Sequence, residues 1–260
     1  MTSAKQRIKA GIDIGSVTTK CVVVQGRQTI ASHIIRTAIN PEQAAREVLE
    51  KALGQGCLSP SLVDKVVSTG YGRRRCLFAN QIVTEVTAAA AGAYWLNHLQ
   101  PALVIDVGGQ DTKVILVGKD ARVVDFLMND KCAAGTGRFL EMMAVSLDTD
   151  IDGLSSLAKA AHHPASINST CSVFAESEVV SLIAQGIIRE DIAAGVFLSI
   201  AARIASMVKQ FPESSEILFC GGGAKSSGLH LALEKTLNRQ IKILPQPQFV
   251  VALGAVLASE

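Results

Sequence analysis

Apolar residues follow two different spacings along the chain, and together they predict a mixed α/β fold. Short apolar runs rich in β-branched residues predict strands at 65–68, 217–220 and 241–244. Longer, mostly apolar segments predict helices at 41–53, 83–99, 137–147, 173–186 and 190–210, another after residue 223, and a short one from about residue 250. Strands and helices mixed on this plan are typical of an α/β protein with two lobes.

An internal repeat is the most informative pattern. Residues 12–24 (IDIGSVTTKCVVV) align without a gap with residues 105–117 (IDVGGQDTKVILV), with six identities in thirteen positions at an offset of 93. Each copy predicts a strand, a tight D-x-G turn and a second strand. Coincidence is the alternative, but the repeat favours two duplicated lobes. We expect one lobe at 1–98, joined by the C-terminal helix 249–260, and the other at 99–248.

The two D-x-G turns suggest phosphate chemistry. Asp13 and Asp106 each end a predicted strand beside a glycine, and such turns facing a cleft would aim carboxylates and backbone N–H groups at a polyphosphate. The carboxylates would hold hydrated Mg²⁺ and orient an attacking water. A third turn, 221–223 (GGG), fits close packing against a nucleotide. This set resembles the actin-like ATPase fold of sugar kinases, acetate kinase, actin and heat-shock chaperones, which implies a nucleotide cleft between the lobes.

Composition narrows the possible partners and compartments. With 48% hydrophobic and 18% charged residues the chain is not expected to be disordered. A net charge of +2 and 4% aromatic residues argue against a nucleic-acid partner. The N-terminus has no signal-peptide core, and the apolar stretch 86–96 is too short to span a bilayer, so we expect a cytoplasmic protein without a membrane partner.

The six cysteines include no C-x-x-C pair, which argues against a disulfide scaffold or an ordinary zinc module. Cys132 and Cys171 each stand just ahead of a predicted helix, where positive partial charge stabilises a thiolate or a negatively charged cluster. Two cysteines cannot complete a four-ligand iron–sulfur site, but two chains can. For the other four we expect small buried apolar side chains: Cys21, Cys57, Cys76 and Cys220.

Seven stretches resemble the ATP-dependent activators of 2-hydroxyacyl-CoA dehydratases and the related ATPases of benzoyl-CoA reductases and double-cubane-cluster proteins. They are GIDIGSVTTKC, STGYGRR, VIDVGGQDTKV, FLMNDKCAAGTGRFLE, CSVFAESEVVS, LFCGGGAK and PQFVVALGA. The resemblance implies an oxygen-sensitive homodimer bridged by one 4Fe–4S cluster, with Cys132 and Cys171 as ligands. It also implies ATP-driven, low-potential single-electron transfer to a dehydratase-like or double-cubane-cluster partner, with ferredoxin or flavodoxin as the electron donor.

The resemblance also implies site residues for ATP, ADP and Mg²⁺. Asp13, Asp106 and Gln110 would manage Mg²⁺ and water during hydrolysis. The residues implied for nucleotide binding are Gly15, Ser16, Val17, Thr18, Thr19, Lys20, Asp106, Gln110, Gly135, Thr136, Gly137, Gly221, Gly222 and Gln248. The chain departs from the family pattern at Val17, at Val251 and at Gly223, and none of these changes removes a proposed ligand or carboxylate.

Two alternatives stay open at this point. One is a small-molecule kinase of the same fold without a cluster, for which Asp111 and Glu176 are the candidate general bases. The other is a cluster-free, polymer-forming or chaperone-like ATPase, which would not need Cys132 or Cys171. The partner enzyme and its substrate are not identified by the sequence.

Overall fold

A computed structural model describes residues 7–130, 134–167, 172–213 and 215–259. The strands are β1 (Ile8–Ile14), β2 (Thr18–Gln25), β3 (Gln28–Arg36), β4 (Val63–Thr69), β5 (Gln81–Ile82), β6 (Ala102–Val107), β7 (Thr112–Val117), β8 (Val123–Asn129), β9 (Ile217–Gly221) and β10 (Ile241–Ile243). The helices are α1 (Pro41–Gln55), α2 (Glu85–Leu96), α3 (Gly137–Ser146), α4 (Ile151–Lys159), α5 (Ser172–Ala184), α6 (Arg189–Val208), α7 (Ser227–Leu237) and α8 (Val250–Leu257).

The chain divides into two compact units. Unit 1 consists of Met1–Pro101, Val117–Asp125 and Leu244–Glu260, and unit 2 consists of Ala102–Leu116 and Phe126–Ile243. The lobe boundaries inferred from the sequence, at 1–98 with 249–260 and at 99–248, stay a prediction.

Unit 1 is a five-stranded sheet covered on both faces. The strand order is β3-β2-β1-β4-β5, with β1 antiparallel to β2 and parallel to β4. One face packs against α1 through a core that includes Ile12, Val23 and Val48. The other face packs against α8, where Val22 meets Val256. Burial on both faces explains why β1 and β2 are apolar runs with little alternation.

The C-terminal helix α8 is an integral part of unit 1. It packs against α2, β1 and β4. A Cβ on Gly254 would lie 1.7 Å from the carbonyl oxygen of Ala88, so the backbones of α8 and α2 approach closely. Close approach of two helices requires small side chains at the contact, which explains the alanine-rich sequence of α2.

The second sheet repeats the strand order of the first. Its order is β10-β9-β6-β7-β8, so β6, β7, β8, β9 and β10 correspond to β1, β2, β3, β4 and β5. The parallel pairing of β6 with β9 matches that of β1 with β4. The core of unit 2 joins this sheet to its helices through Ile105, Phe139, Phe197 and Leu229. The common order confirms the duplication predicted from the repeat.

Four of the described strands and helices were not predicted from the sequence: β3, β5, β8 and α4. The helix α6, which the sequence predicts at 190–210, is long and apolar enough to cross a membrane by length and composition alone. The sequence analysis overlooked this property of the helix. Because 67% of the most apolar window of α6 is buried within the protein, the helix also fits the core of a soluble protein. The expected absence of a membrane partner stays a prediction.

Candidate functional site

The first D-x-G turn joins β1 to β2 in unit 1. Asp13 is 3% exposed, and its Oδ2 accepts a hydrogen bond from Nζ of Lys20 at 2.9 Å. The pairing register of β1 and β2 places these two residues opposite each other. Oδ1 of Asp13 is buried and has no hydrogen-bond partner within the part of the chain that the structure describes. A buried carboxylate oxygen without a partner is costly in free energy and calls for an external donor.

The second D-x-G turn joins β6 to β7 in unit 2. Asp106 is 3% exposed and lies 3.9 Å (Oδ2 to Nζ) from Lys113. The same ammonium group lies 2.8 Å from Oδ2 of Asp111. Lys113 is the repeat equivalent of Lys20 and its side chain is only 1% exposed, so it is a fully buried cation held between two carboxylates. The sequence analysis missed Lys113, although the Lys/Lys identity in the repeat marks it.

A glycine turn lies against each of these aspartates. Gly70, after β4, has φ +87°, and Gly221, at the end of β9, has φ +83°. A Cβ would lie 2.4 Å from Oδ1 of Asp13 in the first case and 2.4 Å from Oδ1 of Asp106 in the second. Only glycine permits this approach, because both the space and the backbone conformation exclude a side chain. Gly70 is therefore the counterpart of Gly221, and the sequence analysis did not include it in the site.

Both D-x-G turns are closed by the same backbone hydrogen bond. The N–H of Gly15 donates to the carbonyl of Thr18 at 3.1 Å, and the N–H of Gly108 donates to that of Asp111 at 2.9 Å. For the phosphate binding that the sequence predicts, we call residues 15–18 the first phosphate loop and residues 108–111 the second phosphate loop. Each is a compact turn whose glycine allows close approach to an anion.

The two phosphate loops are held by different groups. In unit 1, Thr37 donates its hydroxyl hydrogen to the carbonyl of Gly15 at 2.8 Å and its backbone N–H to that of Val17 at 2.8 Å. In unit 2, the N–H groups of Gly137 and Arg138, the first two residues of α3, donate to the carbonyls of Gly108 and Gly109, both at 2.9 Å. These N–H groups lack partners inside the helix, so the second phosphate loop takes the place of a side-chain cap on α3.

The segment that leads into α3 is tied to the second sheet. Oγ1 of Thr112 donates to the carbonyl of Gly135 at 2.7 Å, and Nδ2 of Asn129 donates to that of Ala134 at 3.4 Å. Gly135 has φ +104°, which favours glycine. Cys132 and Cys171, the predicted cluster ligands, lie outside the described residues. The helix α5 begins directly after Cys171 and packs against α3.

The other predicted nucleotide residues fall in both units. Asp13, the segment 15–20 and Gln248 belong to unit 1, whereas the rest belong to unit 2. Gln110 and Gly222 are exposed, and Thr136 is buried. Gln248 lies in a 3-10 turn, Pro247–Phe249, just before α8. Their roles in binding and hydrolysis stay predictions.

Three of the four remaining cysteines are inert, buried thiols. Burial raises the pKa of the Cys76 thiol to about 11, and it also raises the pKa of the Cys21 thiol. Burial, and then the charge of Asp106, raise the pKa of the Cys220 thiol well above its usual range. Such thiols are neither nucleophiles nor ready metal ligands. The expectation that Cys57 is buried was wrong, because this residue is exposed in the turn after α1.

Two sheets of one strand order, each with a buried Asp–Lys pair beside a glycine turn, define a protein of the actin-like ATPase fold. The family model described as "BadF/BadG/BcrA/BcrD ATPase family" matches residues 10–259. The chain therefore belongs to the BadF/BadG/BcrA/BcrD ATPase family.

The similarity to other proteins of the family extends over almost the whole chain. The 2-hydroxyisocaproyl-CoA dehydratase activator of Clostridioides difficile is 40% identical over 250 residues, which cover 95% of this chain and 92% of the relative. The crystal structure of component A of the (R)-2-hydroxyglutaryl-CoA dehydratase of Acidaminococcus fermentans has a TM-score of 0.91 at 33% identity, covering 98% of this chain and 100% of the other. The structure of the activator of the 2-hydroxyisocaproyl-CoA dehydratase from Clostridium difficile with bound ADPNP has a TM-score of 0.90 at 39% identity, covering 96% and 93%.

Proposed function

We propose that this protein is an ATP-hydrolysing iron–sulfur activator that delivers low-potential single electrons to a partner dehydratase or reductase. The observation that carries the proposal is the 40% identity, over 95% of the chain, to a 2-hydroxyisocaproyl-CoA dehydratase activator. The partner in this proposal is a 2-hydroxyacyl-CoA dehydratase-like or double-cubane-cluster protein, and the donor is a ferredoxin or flavodoxin. The proposal includes a cytoplasmic location and no nucleic-acid or membrane partner.

The two D-x-G turns support ATP as the substrate. The unpartnered Oδ1 of Asp13 is suited to accept a hydrogen bond from a water of hydrated Mg²⁺ or from the attacking water. Asp106 supplies the second carboxylate, and Gln110 is placed at the exposed end of its loop, where it would orient water. Lys20, close to Asp13, would add positive charge toward phosphate oxygens. When bound, Mg²⁺ neutralises phosphate charge during hydrolysis.

The segments beside Cys132 and Cys171 support the cluster. α3 begins shortly after Cys132 and α5 directly after Cys171, and these two helices pack against each other. Helix N-termini carry positive partial charge, which favours thiolates and a negatively charged cluster. A bound 4Fe–4S cluster would supply the one-electron redox chemistry that these residues lack.

Exposed apolar side chains on α5 support a homodimer. Phe174 is 68% exposed and Val180 is 56% exposed, and both lie on the helix that follows Cys171. Val145 of α3 is 77% exposed. Apolar residues exposed on the two helices that follow the predicted cluster ligands are available for a protein–protein contact. A second copy of the chain would cover them and supply the two further cysteines that a 4Fe–4S cluster needs.

The test is iron and acid-labile sulfide analysis after strictly anaerobic purification, on the wild type, Cys132→Ala, Cys171→Ala and Cys57→Ala. Cys57→Ala is the matched control because it removes an exposed thiol from unit 1. We expect about four iron atoms per dimer in the wild type and the control, and loss of iron in the other two variants. If ATP is hydrolysed but the wild type contains no iron, the proposal is wrong and the cluster-free kinase or ATPase replaces it.

A further inference from the structure

The two copies of the repeat differ in the group that holds each phosphate loop. In unit 1 the group is a single residue, Thr37, which follows the edge strand β3. In unit 2 it is the start of α3, a ten-residue helix, through Gly137 and Arg138. A displacement of the second phosphate loop must therefore carry the start of α3 with it or break these two hydrogen bonds, whereas the first phosphate loop is held by the one residue Thr37.

In each copy, a threonine at the start of the strand that follows the phosphate loop, β2 or β7, adds a further hydrogen bond. Thr37 spends its one hydroxyl hydrogen on Gly15, so Thr19 must donate in the 2.9 Å hydrogen bond between their Oγ1 atoms. The repeat equivalent of Thr19 is Thr112, which donates to the carbonyl of Gly135. In the first copy the acceptor is a side chain, whereas in the second it is the backbone just ahead of α3.

Thr112 is well placed to fix the relation between loop and helix. Its side chain is 1% exposed, and it directly follows Asp111, which closes the second phosphate loop. Its acceptor, Gly135, lies two residues before Gly137, whose N–H bonds the same loop at Gly108. The loop and the start of α3 are thus joined by hydrogen bonds on both sides of Thr136, without a side-chain cap that could hold the helix independently.

We propose that Thr112 is a positioning residue that ties the second phosphate loop to the start of α3, so that the nucleotide held by this loop sets the position of α3. This inference rests on the proposed ATP binding and adds the route by which the nucleotide acts. Packed elements of this kind move as units between discrete arrangements rather than by gradual deformation. The first phosphate loop, held by Thr37, takes no part in this transmission.

The experiment compares hydrogen exchange in the anaerobically purified protein, saturated with ADP or with a non-hydrolysable ATP analogue. We expect peptides from residues 137–146 to exchange differently in the two nucleotide states. Thr112→Val keeps the shape of the side chain but removes the donor, and it should abolish this difference. Thr112→Ser keeps the donor and should retain it. Thr37→Val removes the hydroxyl donor that holds the first phosphate loop in unit 1 and should also retain the difference at saturating nucleotide.

Three results would overturn the inference. One is a difference at 137–146 that persists in Thr112→Val, and another is its equal loss in Thr37→Val. The third needs only the wild type, so it stands even if no variant folds: no nucleotide-dependent difference at 137–146, whether or not α1, at residues 41–55, shows one. Calorimetry on the same samples separates the causes of failure. Nucleotide binding without an exchange difference refutes the role of Thr112 alone, whereas no binding refutes the proposed ATP chemistry as well.

Discussion

The Asp–Lys pair of the repeat is buried to different degrees in the two copies, and Lys113 is the more buried lysine. Its side chain is 1% exposed and lies between Asp106 and Asp111, whereas the side chain of Lys20 is 15% exposed and pairs with Asp13. Removal of one partner from a buried ion pair leaves charge without compensation, and the penalty grows with burial. Removal of the lysine of unit 2 should therefore destabilise the protein more than removal of the lysine of unit 1.

We predict that Lys113→Met lowers the free energy of unfolding by about 3–5 kcal/mol, because two carboxylates in a poorly solvated site lose their common cation. Lys20→Met is the matched control and should cost less, since Lys20 is itself more exposed and its loss leaves one carboxylate rather than two without a cation. Urea unfolding monitored by circular dichroism measures both variants. Equal losses for the two lysines would contradict this assignment.

The turns after β4 and β9 are equivalent elements that the sequence letters only partly reveal. STGYG and FCGGG share two glycines at the same spacing, but no alignment of the two segments was inferred from the sequence. The structure equates them because Gly70 and Gly221 take nearly the same φ and each lies against Oδ1 of the aspartate in its own unit. Each turn therefore brings backbone against the aspartate that ends the neighbouring parallel strand.

We predict that Gly221→Ala and Gly70→Ala each destabilise the protein more than Gly186→Ala does. Gly186 has φ +80° but open space around it, so its substitution should cost only the backbone strain of about 1 kcal/mol. At Gly221 the new Cβ would also lie 2.4 Å from Oδ1 of Asp106 and from the carbonyl oxygen of Val107. Urea unfolding of the three variants checks the order, and a Gly221→Ala protein as stable as Gly186→Ala would refute the close approach.

Most elements were predictable from their apolar spacing, and the omissions have physical reasons. β3 is an edge strand of mixed, half-buried residues, so its spacing carries little signal. β8 is also an edge strand, and its alternating Val124, Phe126 and Met128 point to solvent rather than to a core. α4 contains a glycine, and its start is marked by Asp150, which accepts a hydrogen bond from the N–H of Gly153 at 2.7 Å. That capping signal could have located α4.

At the scale of the whole molecule, the C-terminal segment completes the unit that the N-terminal segment begins. The buried residues of α8 pack on β1 and β2, so unit 1 cannot form its second covering layer from its own N-terminal sequence. The single tryptophan, Trp95, lies in α2 beside this layer and reports on it.

We predict that a chain ending at Leu244 loses the folded state of unit 1, because the apolar face of its sheet becomes exposed to water. The fluorescence of Trp95 should shift to the red, and limited proteolysis should cleave within residues 7–101. A chain that lacks only Glu260 is the control and should keep both properties of the full-length protein. A truncated protein with unshifted fluorescence would show that α8 is dispensable for this unit.

The sequence alone determined most of the elements, the duplication and the residue types at both D-x-G turns. Apolar spacing reports whether each segment is buried, and a gapless repeat reports common descent, so neither requires distant contacts. The family resemblance was equally visible in the sequence, because its motifs are local.

Only the tertiary structure decided which groups meet at the turns. The burial of Lys113, the equivalence of Gly70 and Gly221, and the replacement of Thr37 by the start of α3 all depend on backbone atoms from distant parts of the chain. Backbone N–H and carbonyl groups are the same in every residue, so sequence letters do not reveal which of them will bond. Their pairing is set by the packing of whole strands and helices, and this packing joins the second phosphate loop to α3.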